Sequence, residues 1–431
     1  MRIIHLVAGA GGMYCGSCLQ GNSLCRALLE AGQDVVLVPV YTPIRTDEEA
    51  VAARRVAFGG LNVYLQQRSG LFRRAPWCVD RLLDHPALLG RLGGGTRPER
   101  LGPLTVSMLR GELGNQRKEL EKLVAWFEQQ EPPQLIHLST AMLVGLARTL
   151  VERLGAKVVC TLSGEDAFLE RLPEPYYAEA RNELRDRCRE LDALIAPSNY
   201  YAEFMADYLA VPSERIAVIR PGLDLEGHEP APTTPRPAPS TEHPATIGYL
   251  SRICPAKGLH QLTEALGILL RDPTLPPLRV VAAGHLGRGD RSYLRQIRRN
   301  LDRRGMAAWF EYVGEVDRPG KIAFLQSIDV LSIPTTRPES KGLAALEGWA
   351  AGTPAVLPNH GVFSELVART GGGLLHEPNR PTSLAESLKQ MVQNSDMARR
   401  CGSQGREAVH RDHDIRSSAQ RTIELYRSLG D

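Results

Sequence analysis

Two cations stand at a strand-to-helix turn in the second half of the chain. The stretch "YLSRICPAKGLHQLTEAL" places Arg252 and Lys257 after an apolar run, and Gly258 follows as a helical pattern begins. Cations beside a helix N-terminus suit a diphosphate, because each adds charge-assisted hydrogen bonds to the favourable end of the helix dipole. Taken alone, the pair would be interpreted as solvated surface charges, and a binding site requires a second set of residues.

That second set lies in "PESKGLAALEGWAAGTPAVLP". Glu339 follows the apolar run "DVLSIP", Gly342 begins a helical pattern, and Glu347 comes one and a half turns later. The N-terminus of such a helix offers free N–H groups to an anion, and the two carboxylates accept hydrogen bonds from neutral hydroxyls. Sugar and ribose hydroxyls fit that description. Together with the two cations, the pattern favours a site for phosphate and sugar groups.

The chain opens with a loop that suits either of two chemistries. The stretch "GAGGMYCGSC", residues 9 to 18, is glycine-rich like a phosphate-binding loop and also carries the pair Cys15 and Cys18. The glycines lack the spacing of the dinucleotide fingerprint, and no acidic residue ends the second apolar run, so a nicotinamide enzyme is disfavoured. The two cysteines have no second pair of ligands nearby, so we expect no metal site. The loop also precedes a helical pattern that Gly32 ends.

The elements that must position these residues alternate along the whole chain. Short apolar runs are separated by amphipathic stretches of helical length; the runs are "RIIHLVAG", "DVVLVPVY", "QLIHLS", "AKVVCTL", "ALIAPS" and "RIAVIR", then "ATIGYL", "LRVVAAG", "WFEYVG", "DVLSIP", "PAVLP" and "GGLLHE". This alternation is typical of parallel sheets with crossover helices on both faces. The sequence therefore predicts an α/β protein with two doubly wound domains.

Proline marks the boundary between the two domains. It recurs through "HEPAPTTPRPAPSTEHPA" so often that neither a helix nor a central strand can form there. A length of 431 residues also exceeds what one hydrophobic core usually serves. We predict a first domain at 1–227, a linker at 228–245, a second domain at 246–410 and a final helix in 411–431 that packs back on the first domain.

One segment of the first domain departs from this pattern. Residues 66–103 carry seven arginines against three acidic residues, and their net charge of +4 exceeds the +3 of the whole chain. A solvated insertion loop is one interpretation, because loops vary freely. The other is an acceptor-binding or peripheral membrane-surface patch, because basic clusters beside apolar residues such as Phe72 and Trp77 attract anionic lipid or phosphate.

Composition and cysteine content indicate the cellular compartment of the protein. Hydrophobic residues make up 43% and charged residues 23%, as in ordinary globular proteins, and the small net charge does not by itself indicate a nucleic-acid partner. The eight cysteines are scattered, which favours free thiols in a reducing compartment. No apolar stretch approaches the length that spans a bilayer. We expect a cytoplasmic protein, with any membrane contact peripheral and on the inner face.

Three stretches together resemble a known family. "SRICPAKG", "PESKGLAALEGWAAGTP" and "AVIRPGLDLE" are similar to the retaining, nucleotide-sugar-dependent glycosyltransferases of family four, and the E-x7-E element preceded by R-x4-K is the specific part. The resemblance covers nearly the whole chain. It implies the GT-B architecture, in which two Rossmann-like domains face a cleft, with the donor bound mainly by the second domain and the acceptor mainly by the first. It implies no cofactor and no essential metal.

The resemblance also assigns roles by position. Arg252 and Lys257 would grip the donor diphosphate and Glu339 would meet the transferred sugar, and these three would be the catalytic residues. Backbone N–H groups at Gly342 and Leu343 would hold phosphate, and Glu347 would hold the ribose.

The opening loop would face the diphosphate across the cleft. Its family glycine falls nearest Gly16, with Gly12 as the alternative. On this resemblance, we predict that the opening loop binds phosphate and that its cysteines do not bind a metal.

The chain departs from the family at two places. Ser163, Gly164 and Asp166 lie on the acceptor and sugar side, where such enzymes usually have a His-Gly pair whose His reaches the donor sugar. Lys341, on the donor side, stands where the family often has an aromatic residue. Both changes leave phosphate binding intact and indicate a different donor sugar. Two alternatives therefore stay open: a sugar-nucleotide epimerase or hydrolase of the same architecture, and a non-catalytic nucleotide-sugar binder.

Overall fold

The structure is a computed structural model that describes residues 1–9, 16–46, 48–52, 56–58, 60–68, 98–228 and 244–430. Most of the predicted insertion 66–103 and of the predicted linker 228–245 lies outside the described residues, as do Gly12 and Cys15. The chain divides into two compact units. The N-terminal unit comprises Met1–Gly222 and Ile415–Asp431, and the C-terminal unit comprises Leu223–Asp414.

The unit boundaries differ slightly from the predicted positions 227 and 410. Leu223 belongs to the C-terminal unit because its N–H donates to the carbonyl of His413 over 2.7 Å. Arg318 holds the next residue, Asp224, through the backbone carbonyl at 3.0 Å and the carboxylate at 3.3 Å. Backbone and guanidinium contacts of this kind cannot be inferred from apolar periodicity, which is why the sequence places the end of the first domain late, at 227 instead of 222.

The N-terminal unit is built on a six-stranded parallel sheet. Its strands are β1 (Arg2–Val7), β2 (Asp34–Pro39), β3 (Leu135–Leu138), β4 (Lys157–Thr161), β5 (Ala193–Ala196) and β6 (Ile216–Val218). They lie in the order β2-β1-β3-β4-β5-β6. Each of the six apolar runs predicted for this half forms one of these strands, and most of the strand residues are buried, as expected for a sheet covered on both faces.

Helices connect these strands. They are α1 (Gly16–Glu30), α2 (Gly60–Arg68), α3 (Gly102–Leu109), α4 (Arg117–Phe127), α5 (Ala147–Leu154), α6 (Glu165–Leu169), α7 (Tyr176–Arg189) and α8 (Asn199–Leu209). Helix α1 ends as the sequence predicts, since Gly32 has a φ of +78° that only glycine adopts without strain.

The C-terminal unit repeats the architecture. Its strands are β7 (Ala245–Leu250), β8 (Leu278–Ala283), β9 (Phe310–Gly314), β10 (Val330–Ser332), β11 (Ala355–Pro358) and β12 (Gly373–His376), in the order β12-β11-β10-β7-β8-β9. Its helices are α9 (Leu259–Leu269), α10 (Arg291–Arg303), α11 (Arg318–Ser327), α12 (Leu343–Ala350), α13 (Val362–Thr370), α14 (Pro381–Gln393) and α15 (Ser395–Asp412). All strand pairs are parallel, and the six predicted runs again coincide with the strands.

The last helix, α16 (Ile415–Ser428), packs on the N-terminal unit. Its residues Ala419, Ile423 and Tyr426 are buried in one apolar cluster with Cys25 and Leu28 of α1. The chain therefore enters the C-terminal unit after Gly222 and returns to the N-terminal unit at its end.

Candidate active site

The C-terminal sheet reverses its winding direction between two adjacent strands. The chain proceeds from β7 to β8 and β9 on one side, then crosses to β10 on the other side of β7. Ligands of open parallel sheets bind outside the carboxyl ends of the strands at such a switch point. The loop that follows β7 carries Arg252 and Lys257, and the loop that follows β10 carries Glu339 and Lys341. Topology thus brings the two predicted motifs to one edge of the sheet.

Gly258 allows the two loops to touch. A tight turn at Pro255–Lys257 precedes it, and its φ of +75° starts helix α9. A Cβ at this position would lie 1.7 Å from the carbonyl oxygen of Pro334 in the loop after β10. A backbone hydrogen bond of 3.0 Å, from Thr336 N–H to the carbonyl of Ala256, holds the two loops together. Only glycine combines this backbone conformation with this close approach.

Lys257 and Glu339 form an ion pair across that junction. The Lys257 ammonium donates directly to the Glu339 carboxylate, and the two side chains are 20% and 24% exposed. A pair at this depth is partly screened by water, so its principal effect is to orient both groups. The ammonium and the carboxylate are therefore presented together at the carboxyl edge of the sheet.

A third loop fixes the backbone of Glu339. The turn after β11 places Gly361 against it so closely that a Cβ on Gly361 would lie 2.6 Å from the Glu339 nitrogen. The next residue, Val362, donates its N–H to the Glu339 carbonyl over 2.8 Å. His360 lies 3.0 Å from the Thr335 carbonyl oxygen through Nε2. Sequence reasoning missed this support, although "NHG" directly after the strand "PAVLP" was a recognisable turn signal.

Helix α12 offers backbone donors at the same edge. Gly342, with a φ of +66°, starts the helix, and Lys341 just before it is buried. The N–H groups of Gly342, Leu343 and Ala344 have no hydrogen-bond acceptor among the described residues. Free N–H groups at the positive end of a helix dipole favour an anion. The structure thus bears the local geometry that the stretch "SKGLA" predicts.

Glu347 has a cationic partner that the sequence did not reveal. Its carboxylate accepts from the ammonium of Lys321 over 2.7 Å, and both side chains are mostly buried. Lys321 lies on helix α11, and a single lysine on an amphipathic helix carries no sequence signal for a distant partner. Each carboxylate of the E-x7-E element is therefore paired with a lysine, where the sequence analysis considered only neutral hydroxyls as partners.

Arg252 differs from Lys257 in its surroundings. Its backbone is fixed, since the hydroxyl of Tyr249 donates to the Arg252 carbonyl over 3.0 Å. Its side chain is exposed and has no ion pair within 4 Å to a carboxylate of the described residues. The guanidinium is consequently available to an external anion.

In the N-terminal unit, the predicted glycine loop is described only from its end. Gly16 is the first residue of α1 and is exposed, and the alternative position Gly12 lies outside the described residues. Cys18 is a buried cysteine on α1, and Cys15, the other cysteine of this loop, also lies outside the described residues. No cluster of three metal-ligating side chains occurs within the described ranges.

A second polar site follows strand β4. Ser163 and Gly164 form the turn, Gly164 with a φ of +102°, and α6 begins with Glu165. The Glu165 carboxylate is 2% exposed and accepts from the N–H groups of Ser163 at 2.8 Å, Gly164 at 3.0 Å and Ala141 at 2.8 Å. A buried carboxylate that accepts hydrogen bonds from several backbone N–H groups fixes the conformation of that backbone. It holds the turn that carries Ser163 and Asp166, although the sequence analysis assigned it no role.

Asp166 lies beside the hydroxyl of Tyr201 at this turn. The Tyr201 hydroxyl donates to the Asp166 carboxylate over 2.6 Å and accepts from Gly164 N–H over 2.9 Å. Burial raises the pKa of Asp166 above its ordinary value, while the hydrogen bond from Tyr201 opposes the rise. Tyr201, at the start of α8, is another residue that the sequence analysis did not select.

Most of the predicted residues thus fall into two groups. Lys257, Glu339, Gly342 and Leu343 lie together in the C-terminal unit, with Glu347 on the same helix as Leu343. Ser163, Gly164 and Asp166 share one turn of the N-terminal unit.

Comparison with known proteins agrees with this division. A family model described as "Glycosyltransferase Family 4" matches residues 91–226, and one described as "Glycosyl transferases group 1" matches residues 232–408. Between them the two models cover more than half of the chain. This chain belongs to glycosyltransferase family four. The predicted resemblance is confirmed at the level of the family.

Curated relatives of this family four chain are similar over part of their length. A D-inositol 3-phosphate glycosyltransferase of Corynebacterium urealyticum is 30% identical over 50% of this chain and 51% of its own. A second protein of that description, from Stackebrandtia nassauensis, is 27% identical over 78% of this chain and 79% of its own. The match to the first relative therefore spans about half the length of either protein.

Solved structures share the fold at low identity. Sucrose-phosphate synthase from Thermosynechococcus elongatus has a TM-score of 0.74 at 17% identity, covering 100% of this chain and 99% of its own. Anabaena HepE in complex with UDP-glucose has a TM-score of 0.65 at 17% identity, covering 99% of this chain and 100% of its own. These neighbours confirm the predicted GT-B fold. Among the described helices, none combines the length and apolar character needed to cross a membrane.

Proposed function

We propose that the protein transfers a sugar from a nucleotide-diphosphate sugar to an acceptor with retention of the anomeric configuration. The acceptor would be a saccharide, a lipid or another small molecule. One observation carries the proposal: Lys257, Glu339 and the free N–H groups at the start of α12 meet at the switch point of the C-terminal sheet. Family membership supports the chemistry, and the HepE structure supports the donor class because it holds UDP-glucose.

The positive groups at this edge suit the leaving diphosphate. As the bond between sugar and diphosphate breaks, negative charge grows on the phosphate oxygens while the sugar gains oxocarbenium character. Arg252 and Lys257 supply full charges, and the N–H groups of Gly342 and Leu343 supply the dipole of α12. Groups already oriented toward developing charge are usually the largest catalytic contribution. The proposal therefore needs no cofactor and no essential metal.

The carboxylates suit the hydroxyl groups of the donor. Glu339 would accept from a hydroxyl of the transferred sugar while still holding the Lys257 ammonium. Glu347 would accept from the ribose hydroxyls, with Lys321 keeping its carboxylate in position. The buried Lys341 would shape the sugar pocket in place of the family's aromatic residue.

The N-terminal unit would supply the acceptor side and part of the phosphate contact. We assign the phosphate contact to Gly16, at the start of α1, with Gly12 as the alternative. Ser163, Gly164 and Asp166 would line the acceptor and sugar side, with Asp166 offering a carboxylate to an acceptor hydroxyl. We further propose a cytoplasmic location for the enzyme.

The test has two stages. A thermal-shift screen against nucleoside diphosphates and their sugars identifies the donor, because a ligand that binds only the folded state raises the melting temperature. Product analysis with that donor then measures transfer and anomeric configuration. We expect Lys257→Ala and Arg252→Ala each to lower turnover by a factor of about 100 to 1,000, the loss seen when one preorganised partner is removed.

Lys389→Ala is the matched control. Lys389 is also an ion-paired lysine of the C-terminal unit, bound to Asp272 over 2.6 Å, but it lies on helix α14. Its replacement should leave turnover within a factor of two. Equal turnover in wild type, Lys257→Ala and Arg252→Ala would contradict the donor site.

Ser163 favours a second candidate, a non-catalytic binder of nucleotide sugars. Its hydroxyl donates to Glu165 over 3.3 Å and cannot supply the charge of the family's histidine. Binding of a donor sugar with neither transfer nor slow hydrolysis would favour this candidate. A product that is an epimer or a free sugar would instead indicate the epimerase or hydrolase alternative.

A further inference from the structure

Helix α10 concentrates positive charge on one side of the C-terminal unit. The segment 288–304, which contains it, has seven arginines against two aspartates, a net charge of +5. The whole chain carries only +3. Since the segment 66–103 contributes +4, the rest of the chain must be negative by six charges. The net positive charge of the chain thus comes from two segments, and the structure describes all of the one that contains α10.

The fold presents the arginines of α10 to solvent. Leu294, Ile297 and Leu301 are buried in the core of the unit and define the inner face of the helix. The opposite face carries exposed arginines, namely Arg291, Arg295, Arg298, Arg299 and Arg303, with Asp302 among them. From the first to the last, this arginine row extends about 18 Å at 1.5 Å per residue.

The arginine row is not neutralised by its neighbours. Arg291, Arg295, Arg298 and Arg299 form no ion pair within 4 Å to a carboxylate of the described residues. Elsewhere, exposed arginines are commonly paired, as Arg148 is with two glutamates. Adjacent guanidinium groups repel one another, so a row with only Asp302 among its arginines gains from an external surface of negative charge.

Apolar side chains lie beside the row. Ile268 is 39% exposed and lines a groove of about 510 Å³ together with Arg303 and Arg304. Trp309 is 38% exposed and belongs to a short helical turn, Ala307–Trp309, that packs against α10. Tryptophan favours the boundary between lipid headgroups and acyl chains, because its ring is apolar and its N–H is polar. Cations flanked by such residues suit a lipid surface better than an ion in solution.

We propose that the arginine row, with Ile268 and Trp309, binds the surface of an anionic phospholipid bilayer. Guanidinium groups form paired hydrogen bonds with phosphate oxygens, and the exposure of the row allows several of its arginines to meet lipid headgroups. The contact is peripheral, because the apolar face of α10 stays in the protein core. This inference does not rest on the proposed transfer reaction. It places a membrane contact on the C-terminal unit, separate from the one predicted for 66–103.

Vesicle cosedimentation of the full chain tests the proposal. Wild-type protein should sediment with vesicles of phosphatidylcholine and phosphatidylglycerol at 7:3 and stay in solution with phosphatidylcholine alone, and 0.5 M NaCl should release it. The substitution R295E/R299E should weaken binding at least tenfold. Both residues are exposed, so the circular dichroism spectrum should remain that of wild type. The segment 66–103 is also basic and could bind anionic vesicles. The double substitution changes only α10 and therefore tests the contribution of that helix.

The matched control is R400E/R421E, which makes the same change in net charge at two exposed arginines outside α10. Its binding should stay within twofold of wild type. A second measurement uses tryptophan emission, which vesicles should shift to shorter wavelength less in W309F than in wild type. Equal binding by wild type and R295E/R299E would overturn the proposal. So would an undiminished emission shift in W309F, or tighter binding to single-stranded RNA than to the anionic vesicles.

Discussion

Two buried histidines make the N-terminal unit sensitive to acid. His5 on β1 and His137 on β3 are adjacent, with ring centroids 4.3 Å apart. His137 is hydrogen-bonded to Tyr426 of α16 at 2.6 Å and to Thr161 at 2.7 Å, whereas neither ring nitrogen of His5 has a hydrogen-bond partner in the described part of the chain. Burial lowers the pKa of His5 from 6.5 to about 4, and burial together with the charge of His5 lowers the pKa of His137 well below its ordinary value.

The sign of the effect follows from proton binding. A histidine whose pKa is lower in the folded state binds more protons when the chain is unfolded, so acid favours unfolding. The stabilisation from the neutral ring is complete above about pH 6.5 and is lost as the pH falls toward 4. Between pH 7.5 and pH 5.0, the shift of His5 alone corresponds to about 2 kcal/mol of the free energy of unfolding. His137 adds a loss of the same sign.

The replacement His5→Leu isolates this contribution. Leucine fills a similar volume and leaves no hydrogen-bond partner unsatisfied, so stability at pH 7.5 should be equal to or above that of wild type. Urea unfolding of both proteins at pH 7.5 and 5.0 gives four free energies of unfolding. For each protein, the free energy of unfolding at pH 5.0 is subtracted from the value at pH 7.5. Comparing the two differences removes the contribution of the carboxylates, because they titrate in both proteins.

We expect wild type to lose about 2 kcal/mol more than His5→Leu over this pH range. The control is Tyr426→Phe, which removes the hydrogen bond to His137 but keeps His5. It should lower stability at both pH values and retain the extra acid loss. If wild type and His5→Leu lost the same free energy, within about 0.5 kcal/mol, the burial argument for His5 would be wrong.

Three further predictions concern the candidate active site. Gly258→Ala should lower the affinity for the donor, measured by thermal shift with the best donor, because its Cβ would collide with the Pro334 carbonyl; an unchanged donor affinity would refute the role of that loop junction. Tyr201→Phe should cost about 1 to 2 kcal/mol in urea unfolding and raise the pKa of Asp166 further, measured by NMR titration; a fall in that pKa would contradict the assigned hydrogen bond. EDTA should leave sugar transfer unchanged after metal-free purification, and activity that returns only with a divalent cation would rule out the metal-independent proposal.

The fold could be predicted from local sequence patterns because each strand is short, apolar and bounded by turns. All twelve predicted runs form strands, and the sheets are parallel, since parallel strands buried on both faces need continuous apolar runs. The donor motifs were also visible locally. Gly258 and Gly342 lie next to charged residues and at the start of helices, which is information that a short window of sequence contains.

Contacts between distant segments were not visible in this way. Gly361 lies 22 positions after Glu339, and Lys321 lies 26 positions before Glu347, so no periodicity relates the members of either pair. Tyr201 reaches Asp166 only because β4 and β5 are neighbours in the sheet. Each of these partners depends on strand order, which is set by how the helices pack.

Local sequence patterns were sufficient to predict which segments become strands and helices, and which charged residues and glycines stand at the ends of strands. Tertiary structure alone decided that the strand order reverses between β7 and β10, which brings Lys257 to Glu339. It also decided that α16 returns to α1 and gives His137 the hydroxyl of Tyr426. The physical reason is that backbone propensity acts over a few residues, whereas burial of apolar surface acts between any segments that the chain can bring together.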